Sequence, residues 1–573
     1  MAAWGATPRD DGTTRFRLWA PALDALTLEL DGGAAVAMTP AGEGWFEAIA
    51  PAPPGTRYRF RIKDDLAVPD PAARAQAEDV HGWSLVVDPA HDWQNGDWRG
   101  RPWAETVLYE LHPGLMGGFD GIAEALPRLA ELGVTAIELM PVAAVSGRRN
   151  WGYDGVLPYA PANQYGTPAA FKTMVDRAHG LGLMVFLDVV YNHFGPDGNY
   201  LSAYAPAFFH EEKHTPWGGA IAFDRAPVAD FFIDNARMWI EEYRLDGLRF
   251  DAVHAIGDPA FLDRMAQAIR AGAGDRHVHL VLENEENDAD RLAPERFDAQ
   301  WNDDFHNVLH VLLTDERDAY YQDFADRPAE RLARCLAEGF IYQGDPSPNH
   351  DGAPRGRPSA HLPPTRFVSF LQNHDQIGNR AMGERLTRLA GAERLRAATG
   401  LLLLAPQIPL LFMGDELGSE SPFLFFTDFH DALADAVREG RRKEFAKFAA
   451  FQSEDARARI PDPNAAATFE ASRVAPGPES ESWRGLYMRL LALRRTRIVP
   501  HLEGATSLGA EAIGDKAVVA RWRLGNGETL GIALNFGVGD VAFAAPDGAP
   551  FERIGEGIVD GRLRPASLLA WLR

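Results

Sequence analysis

A chain of 573 residues is long for one hydrophobic core, and its 46% hydrophobic content is ample for two or three folded domains. Its 81 acidic against 57 basic residues give a formal charge of −24, which opposes binding to phosphate backbones and anionic membranes, so neither nucleic acid nor membrane is an expected partner. One cysteine, Cys335, excludes an internal disulfide framework, and Met1 to Asp10 lacks the apolar core of a signal peptide, so a cytoplasmic home is expected.

From residue 1 to 95 the chain runs in short alternating segments such as Thr14–Trp19, Leu26–Leu30 and Tyr58–Ile62, separated by Gly, Pro and Asp turns. This pattern predicts a small immunoglobulin-like β-sandwich. Beyond it, over 96–481, apolar strands alternate with helical segments, as parallel βαβ units do. The predicted strands are Val107–His112, Ala136–Pro141, Met184–Val190, Gly247–Val253, His279–Glu283, Ala299–Asp303, Phe367–Asp375 and Pro409–Gly414. Between them, Gly121–Leu132, Pro168–Gly180, Val228–Tyr243 and Pro259–Ala271 repeat apolar residues at helical spacing.

That count predicts an α/β chain built on a closed (β/α)₈ TIM barrel. An open doubly wound sheet also alternates, but it usually begins with a Gly-rich phosphate turn that is missing here. Long excursions follow the third strand (192–226) and precede the seventh (343–364). The apolar run Ala397–Met413 is broken by Pro406 and Pro409, so it reads as a helix end, a turn and a strand instead of a membrane span. Residues 482–573 open with a helix at Leu486–Arg495 and continue in alternating patterns such as Ala517–Trp522 and Leu530–Leu534, a small C-terminal β-domain.

Acids and imidazoles gather where the barrel strands end: Asp188, His193, Arg249, Asp251, His254, Glu283, His374 and Asp375. In Asp246–Asp251, Arg249 stands two residues before Asp251, so on a strand both point the same way and the guanidinium would hold the carboxylate ionised, with a lowered pKa. Two carboxyl groups facing across a bond perform displacement and proton transfer while a third steadies positive charge on a sugar ring, which fits glycoside cleavage. Taken singly, each acid reads more readily as a helix cap, and it is their joint placement on one rim that points to chemistry.

Asp188–His193, Gly247–His254, Glu283 and Asn373–Asp375 resemble the four ordered motifs of the α-amylase superfamily of glycoside hydrolases. The resemblance spans almost the whole chain, because Phe16–Pro21 resembles the N-terminal sandwich of its glycogen- and maltodextrin-acting members. It implies a retaining mechanism with Asp251 as nucleophile, Glu283 as acid/base and Asp375 as transition-state stabiliser. It further implies that His193 and His374 bond the hydroxyls of the cleaved glucose, that Tyr153 stacks on its ring and that His254 faces the leaving sugar. Asp188 would support Arg249 without taking part in catalysis. Strand alternation would point Glu285 the same way as Glu283, and position along the motif selects Glu283.

Within that superfamily, Glu138–Val142, Asn150–Val156, Gly195–Leu201, Pro422–Phe429 and Gly440–Phe445 look like the members that cut the α-1,4 bond beside the trehalose end of a maltooligosyl chain. The substrates implied are maltooligosyl trehalose and water, with maltooligosyltrehalose synthase as the pathway partner. Selecting that end requires a closed leaving-group side, and Phe423, Phe425, Phe426 and Phe429 are either its wall or ordinary core. A glycogen branching or debranching enzyme is the alternative, and an inactive glycan-binding barrel the non-enzymatic one. Leu111–Phe119 is shorter than the usual family form, so one cleft wall is expected to differ. No segment has calcium-ligand spacing, so no metal or other cofactor is expected, and activity lost on exhaustive chelation would count against this.

Overall fold

Eight parallel strands close into a barrel in a computed structural model that describes residues 4–573 apart from Ala34, Pro216, Trp217 and Lys447. They are β1 (Leu108–Leu111), β2 (Ala136–Leu139), β3 (Met184–Val189), β4 (Gly247–Phe250), β5 (His279–Leu282), β6 (Ala299–Trp301), β7 (Phe367–Phe370) and β8 (Ile408–Phe412). Each pairs with its successor, and β1 closes on β8 with Leu108 opposite Leu410. Every residue of these strands is buried, which is why they read as apolar runs instead of alternating ones.

The barrel interior changes character along its axis. Leu108, Met184, Phe186, Val281, Val368 and Phe370 belong to one apolar cluster. Polar side chains follow further along the strands: Glu110 is in register with Glu138, and Asp188 with Arg249. This polar layer lies toward the carboxyl ends of the strands, where a barrel builds its site.

The helices form where the spacing predicts them. Gly118–Leu132 buries Phe119, Ile122, Leu126 and Leu129 and ends at Gly133, whose φ of 104° only glycine adopts readily. Pro168–Gly180 is capped by Thr167, whose hydroxyl accepts from the Ala170 amide, and Pro259–Ala273 by Asp258, which accepts from the Phe261 amide. The run Ala397–Met413 divides into the end of a helix (Ala392–Leu404), a turn and β8. Buried Arg494 satisfies that turn by donating to the carbonyls of Leu403 (3.2 Å), Ala405 (2.6 Å) and Gln407 (2.7 Å). Among the described residues no helix is long and apolar enough to cross a membrane.

Two antiparallel sheets precede the barrel, one containing Thr13–Trp19 and Trp45–Pro51, the other Thr27–Leu30 and Arg57–Lys63. Phe16 meets Tyr58 between them at 4.9 Å. Trp4 fastens this sandwich to the barrel by packing on Phe231 at 4.9 Å and donating to the Pro227 carbonyl. At the other end a five-stranded antiparallel sheet includes Ala517–Arg523, Thr529–Asn535 and Ser567–Leu572, and Trp522 donates to the Leu336 carbonyl of a barrel helix.

The predicted strands overrun the observed ones at their carboxyl ends. β7 ends at Phe370, and Asp375 instead sits in a short helix, His374–Gly378, whose Asn373 and Gln376 form a capping box. Asp251 and Glu283 likewise lie one residue past β4 and β5. The alternation used to orient Glu285 therefore does not apply, because it lies three residues beyond Leu282.

Candidate active site

Arg249 organises the centre. Its side chain is fully buried, and Nη1 reaches Asp188 Oδ2 at 2.6 Å and Asp251 Oδ1 at 2.8 Å, while Nη2 reaches Glu283 Oε2 at 2.8 Å. Its guanidinium carbon lies 4.2 Å from the ring centre of Trp301, an aromatic floor that the sequence pattern shows only as part of the strand Ala299–Asp303. Strand direction explains the geometry: Arg249 points into the barrel from β4, and Asp251 follows as the backbone leaves the sheet through Ala252, with φ 42°.

Asp251 also accepts from Asn192 Nδ2 at 2.8 Å, a contact that sequence analysis missed although Asn192 sits inside the third-strand motif. Glu283 accepts from the Ala252 amide at 2.8 Å, so its carboxyl is held by both the β4 and β5 ends. Burial pushes the Glu283 carboxyl up, as an acid that must carry a proton requires, with Arg249 opposing. The expected lowering of Asp251 is not found: burial, reinforced by Asp188 and Asp375, outweighs Arg249 and moves it up. Burial is the main physical reason, and the one guanidinium that opposes it also pairs with Asp188 and Glu283.

His374 is the second buried charge. Its Nδ1 meets Glu110 Oε1, its amide donates to Glu110 Oε2 at 3.1 Å, and its Nε2 faces the Tyr153 hydroxyl at 2.8 Å. Burial disfavours the charged ring, but Glu110 and Asp375 outweigh it and His374 is pushed up to about 9. Tyr153 donates to Asp188 at 2.6 Å and stacks on His374, with ring centres 5.1 Å apart. Glycine at 152 is required: its φ is 105°, and a Cβ there would lie 2.3 Å from the Pro141 carbonyl.

Asp375 accepts from Asn379 at 3.2 Å and lies 3.5 Å from His374 Nε2. Beside it Gln376 donates to Asp303, whose carboxyl burial and the neighbours Glu283 and Asp375 raise to about 8. Neither Asp303 nor Glu110 was singled out from sequence, and a polar residue closing or interrupting a buried strand was the available signal. Glu138 gives the same signal more strongly: both its oxygens are buried without a hydrogen-bond partner, and burial moves its carboxyl well up.

Two expected contacts look different in three dimensions. His193 directs its ring nitrogens to Asn192 Oδ1 at 2.5 Å and the Tyr153 carbonyl at 3.0 Å. It also borders a cavity of about 310 Å³ in the third-strand excursion, lined by Phe194, Asn199, Phe209 and His210. His254 lies at the rim, with Nδ1 3.5 Å from the Glu285 amide and Nε2 3.8 Å from Glu285 Oε2. The Phe423–Phe429 run resolves mainly to core: Phe423, Phe426 and Phe429 are buried, Phe423 stacks on Trp151 at 5.2 Å, and only Phe425 remains partly exposed.

A closed parallel barrel with three carboxyl groups around one buried arginine defines the chain as a glycoside hydrolase of the α-amylase superfamily. Residues 82–217 match the family described as alpha amylase, catalytic domain, and residues 505–554 a domain of unknown function (DUF3459). Malto-oligosyltrehalose trehalohydrolase of Deinococcus radiodurans is 42% identical over 89% of this chain and 86% of its own. The enzyme of the same name from Saccharolobus solfataricus is 41% identical over 76% and 79%. A solved structure described as a putative alpha amylase from Salmonella typhimurium superimposes with a TM-score of 0.94 at 47% identity, covering both chains fully. The chain belongs to the malto-oligosyltrehalose trehalohydrolase family.

Proposed function

We propose that this protein hydrolyses the α-1,4 glucosidic bond next to the terminal trehalose of maltooligosyl trehalose, releasing trehalose and a maltooligosaccharide. The observation that carries the reading is the likeness to trehalohydrolases along 86% of the Deinococcus chain, together with the carboxyl groups clustered on Arg249.

In this reading Glu283 protonates the bridging oxygen as Asp251 attacks C1, so the C1–O bond breaks and a covalent glucosyl ester forms. Glu283 then takes a proton from water, whose oxygen attacks C1 and frees Asp251. Holding both groups on one guanidinium supports the short separation, about 5–5.5 Å, that a retaining pair needs. Asp375 stabilises the oxocarbenium-like transition state. Tyr153, His193 and His374 line the cleaved glucose, and His254 faces the leaving sugar.

The same reading divides the chain into a sandwich (1–95), the catalytic barrel (96–481) and a C-terminal β-domain (482–573). It places the protein in the cytoplasm beside a maltooligosyltrehalose synthase that makes its substrate, with no role for membrane or nucleic acid. Separate digestion of maltooligosyl trehalose, amylose and glycogen tests it. Free trehalose is expected from the first, with little change in the branching of the others; new α-1,6 links would identify a branching enzyme instead.

A further inference from the structure

Glu285 is a carboxylate left over from the chemistry. It lies two residues past Glu283 with its side chain 59% exposed, and no described residue donates a hydrogen bond to its carboxylate. Its backbone is nevertheless fixed from both sides: the amide faces His254 Nδ1, and the carbonyl accepts from Arg355 Nε at 2.8 Å. Rigid backbone under an unspent acceptor is the arrangement of a recognition group, not of a mobile surface glutamate.

Two imidazoles bracket the carboxylate at distances too long for good hydrogen bonds. His254 Nε2 stands 3.8 Å from Oε2, and His350 Nε2 stands 3.5 Å from Oε1. Their tautomers follow from the surrounding network. The Ser347 hydroxyl donates to Asp323 Oδ2, so its oxygen receives the proton of His350 Nδ1, and the Nε2 that the neutral His350 ring turns toward Glu285 carries no proton to donate. Because His254 Nδ1 accepts from the Glu285 amide, its Nε2 carries a proton. Glu285 follows the acid Glu283 by two residues and its carboxylate stands 3.8 Å from His254, itself three residues past Asp251, so it lies beside the catalytic groups.

The side of the cleft follows from the acid. Tyr153, His374 and Asp375 surround the glucose being cleaved, so groups beyond Glu283 and away from them meet the leaving part. On that side a trehalose end differs from a continuing α-1,4 chain at its second glucose. Its last glucose is joined through C1 and keeps O4 as a free hydroxyl beside O3, whereas an α-1,4-linked glucose at that place has used O4 in the bond. A carboxylate with two open oxygens binds such a vicinal pair with two charge-assisted hydrogen bonds.

We propose that Glu285, held at its backbone by His254 and Arg355, recognises the leaving trehalose by accepting from the 3- and 4-hydroxyls of its terminal glucose. This rests on the function proposed above and names a specificity residue for it. Its test is the ratio of kcat/KM for maltotriosyl trehalose to that for maltopentaose, in wild type, Glu285→Gln and Glu285→Asp, with inhibition by free trehalose measured in each. Glu285→Gln is expected to lower the ratio about tenfold and to weaken trehalose inhibition by a similar factor, and Glu285→Asp, which keeps the charge but draws the oxygens back, to do so about threefold. Should Glu285→Gln not fold, the Glu285→Asp variant still decides. Wild type that releases trehalose, with both ratios unchanged in the variants, overturns this inference alone. Wild type that releases no trehalose overturns the proposed function and this inference with it.

Discussion

Arg249 and Glu283 are in direct contact, Nη2 to Oε2 at 2.8 Å, so the residue that holds the proposed nucleophile also holds the proposed acid. Lysine is a single point donor and cannot span Asp188, Asp251 and Glu283 together. Arg249→Lys is expected to lower kcat at least ~100-fold and to destabilise the fold by about 3–5 kcal/mol, since it leaves buried carboxyl groups uncompensated. Steady-state kinetics beside urea unfolding checks both, and a variant with near-normal kcat would show that Arg249 is not the organiser.

Proton donation by Glu283 predicts a dependence on the leaving group. Glu283→Gln is expected to lose about 10³-fold or more on maltooligosyl trehalose yet to form the covalent intermediate at near-normal rate from a maltooligosyl fluoride, whose leaving group needs no proton. Asp251→Ala is expected to fail on both. Burst kinetics with the fluoride separates the roles, and equal losses in the two variants would refute the assignment.

Stability is expected to fall with rising pH. His374 keeps its proton in the folded state up to about 9 against an ordinary 6.5, so its contribution is full below 6.5 and is lost as pH climbs through 9. Asp303, raised to about 8 from 3.8, acts with the same sign, because the folded state binds its proton more tightly than the unfolded chain. Calorimetry should show Tm declining between pH 6.5 and 9, with a shallower decline in Asp303→Asn. A Tm that rises over this interval contradicts the assignment.

Arg494 offers a stability test away from the chemistry. Arg494→Met leaves the carbonyls of Leu403, Ala405 and Gln407 buried without their donor. A loss of about 2–4 kcal/mol in urea unfolding is expected, with kcat unchanged below the transition. Unaltered stability would mean that water replaces the guanidinium.

Much of this protein is legible from local pattern. Buried parallel strands write themselves as apolar runs, and helices as residues spaced by three and four, so all eight strands and the barrel they form follow from the sequence, as do the motifs carrying Arg249, Asp251, Glu283 and Asp375. Strand ends, and everything that depends on them, follow less well. Asp375 was drawn on a strand and stands in a capped helical turn, because the capping of Asn373 by Gln376 competes with sheet extension.

Tertiary structure alone decided which charges share a space. Nothing near Glu110 in the chain announces His374, 264 residues away, and nothing near Glu285 announces His350. The sequence shows Arg249 beside Asp251 but not that Asp188 and Glu283 draw on the same guanidinium, so it predicts a lowered Asp251 where burial in fact raises it. It likewise offers Phe423, Phe426 and Phe429 for either a cleft wall or the core, and packing against Trp151, Phe412 and Phe469 places Phe423 and Phe426 inside. Periodicity is a property of neighbours along the chain, whereas burial and charge balance belong to neighbours in space, and only the closing of the barrel brings those together.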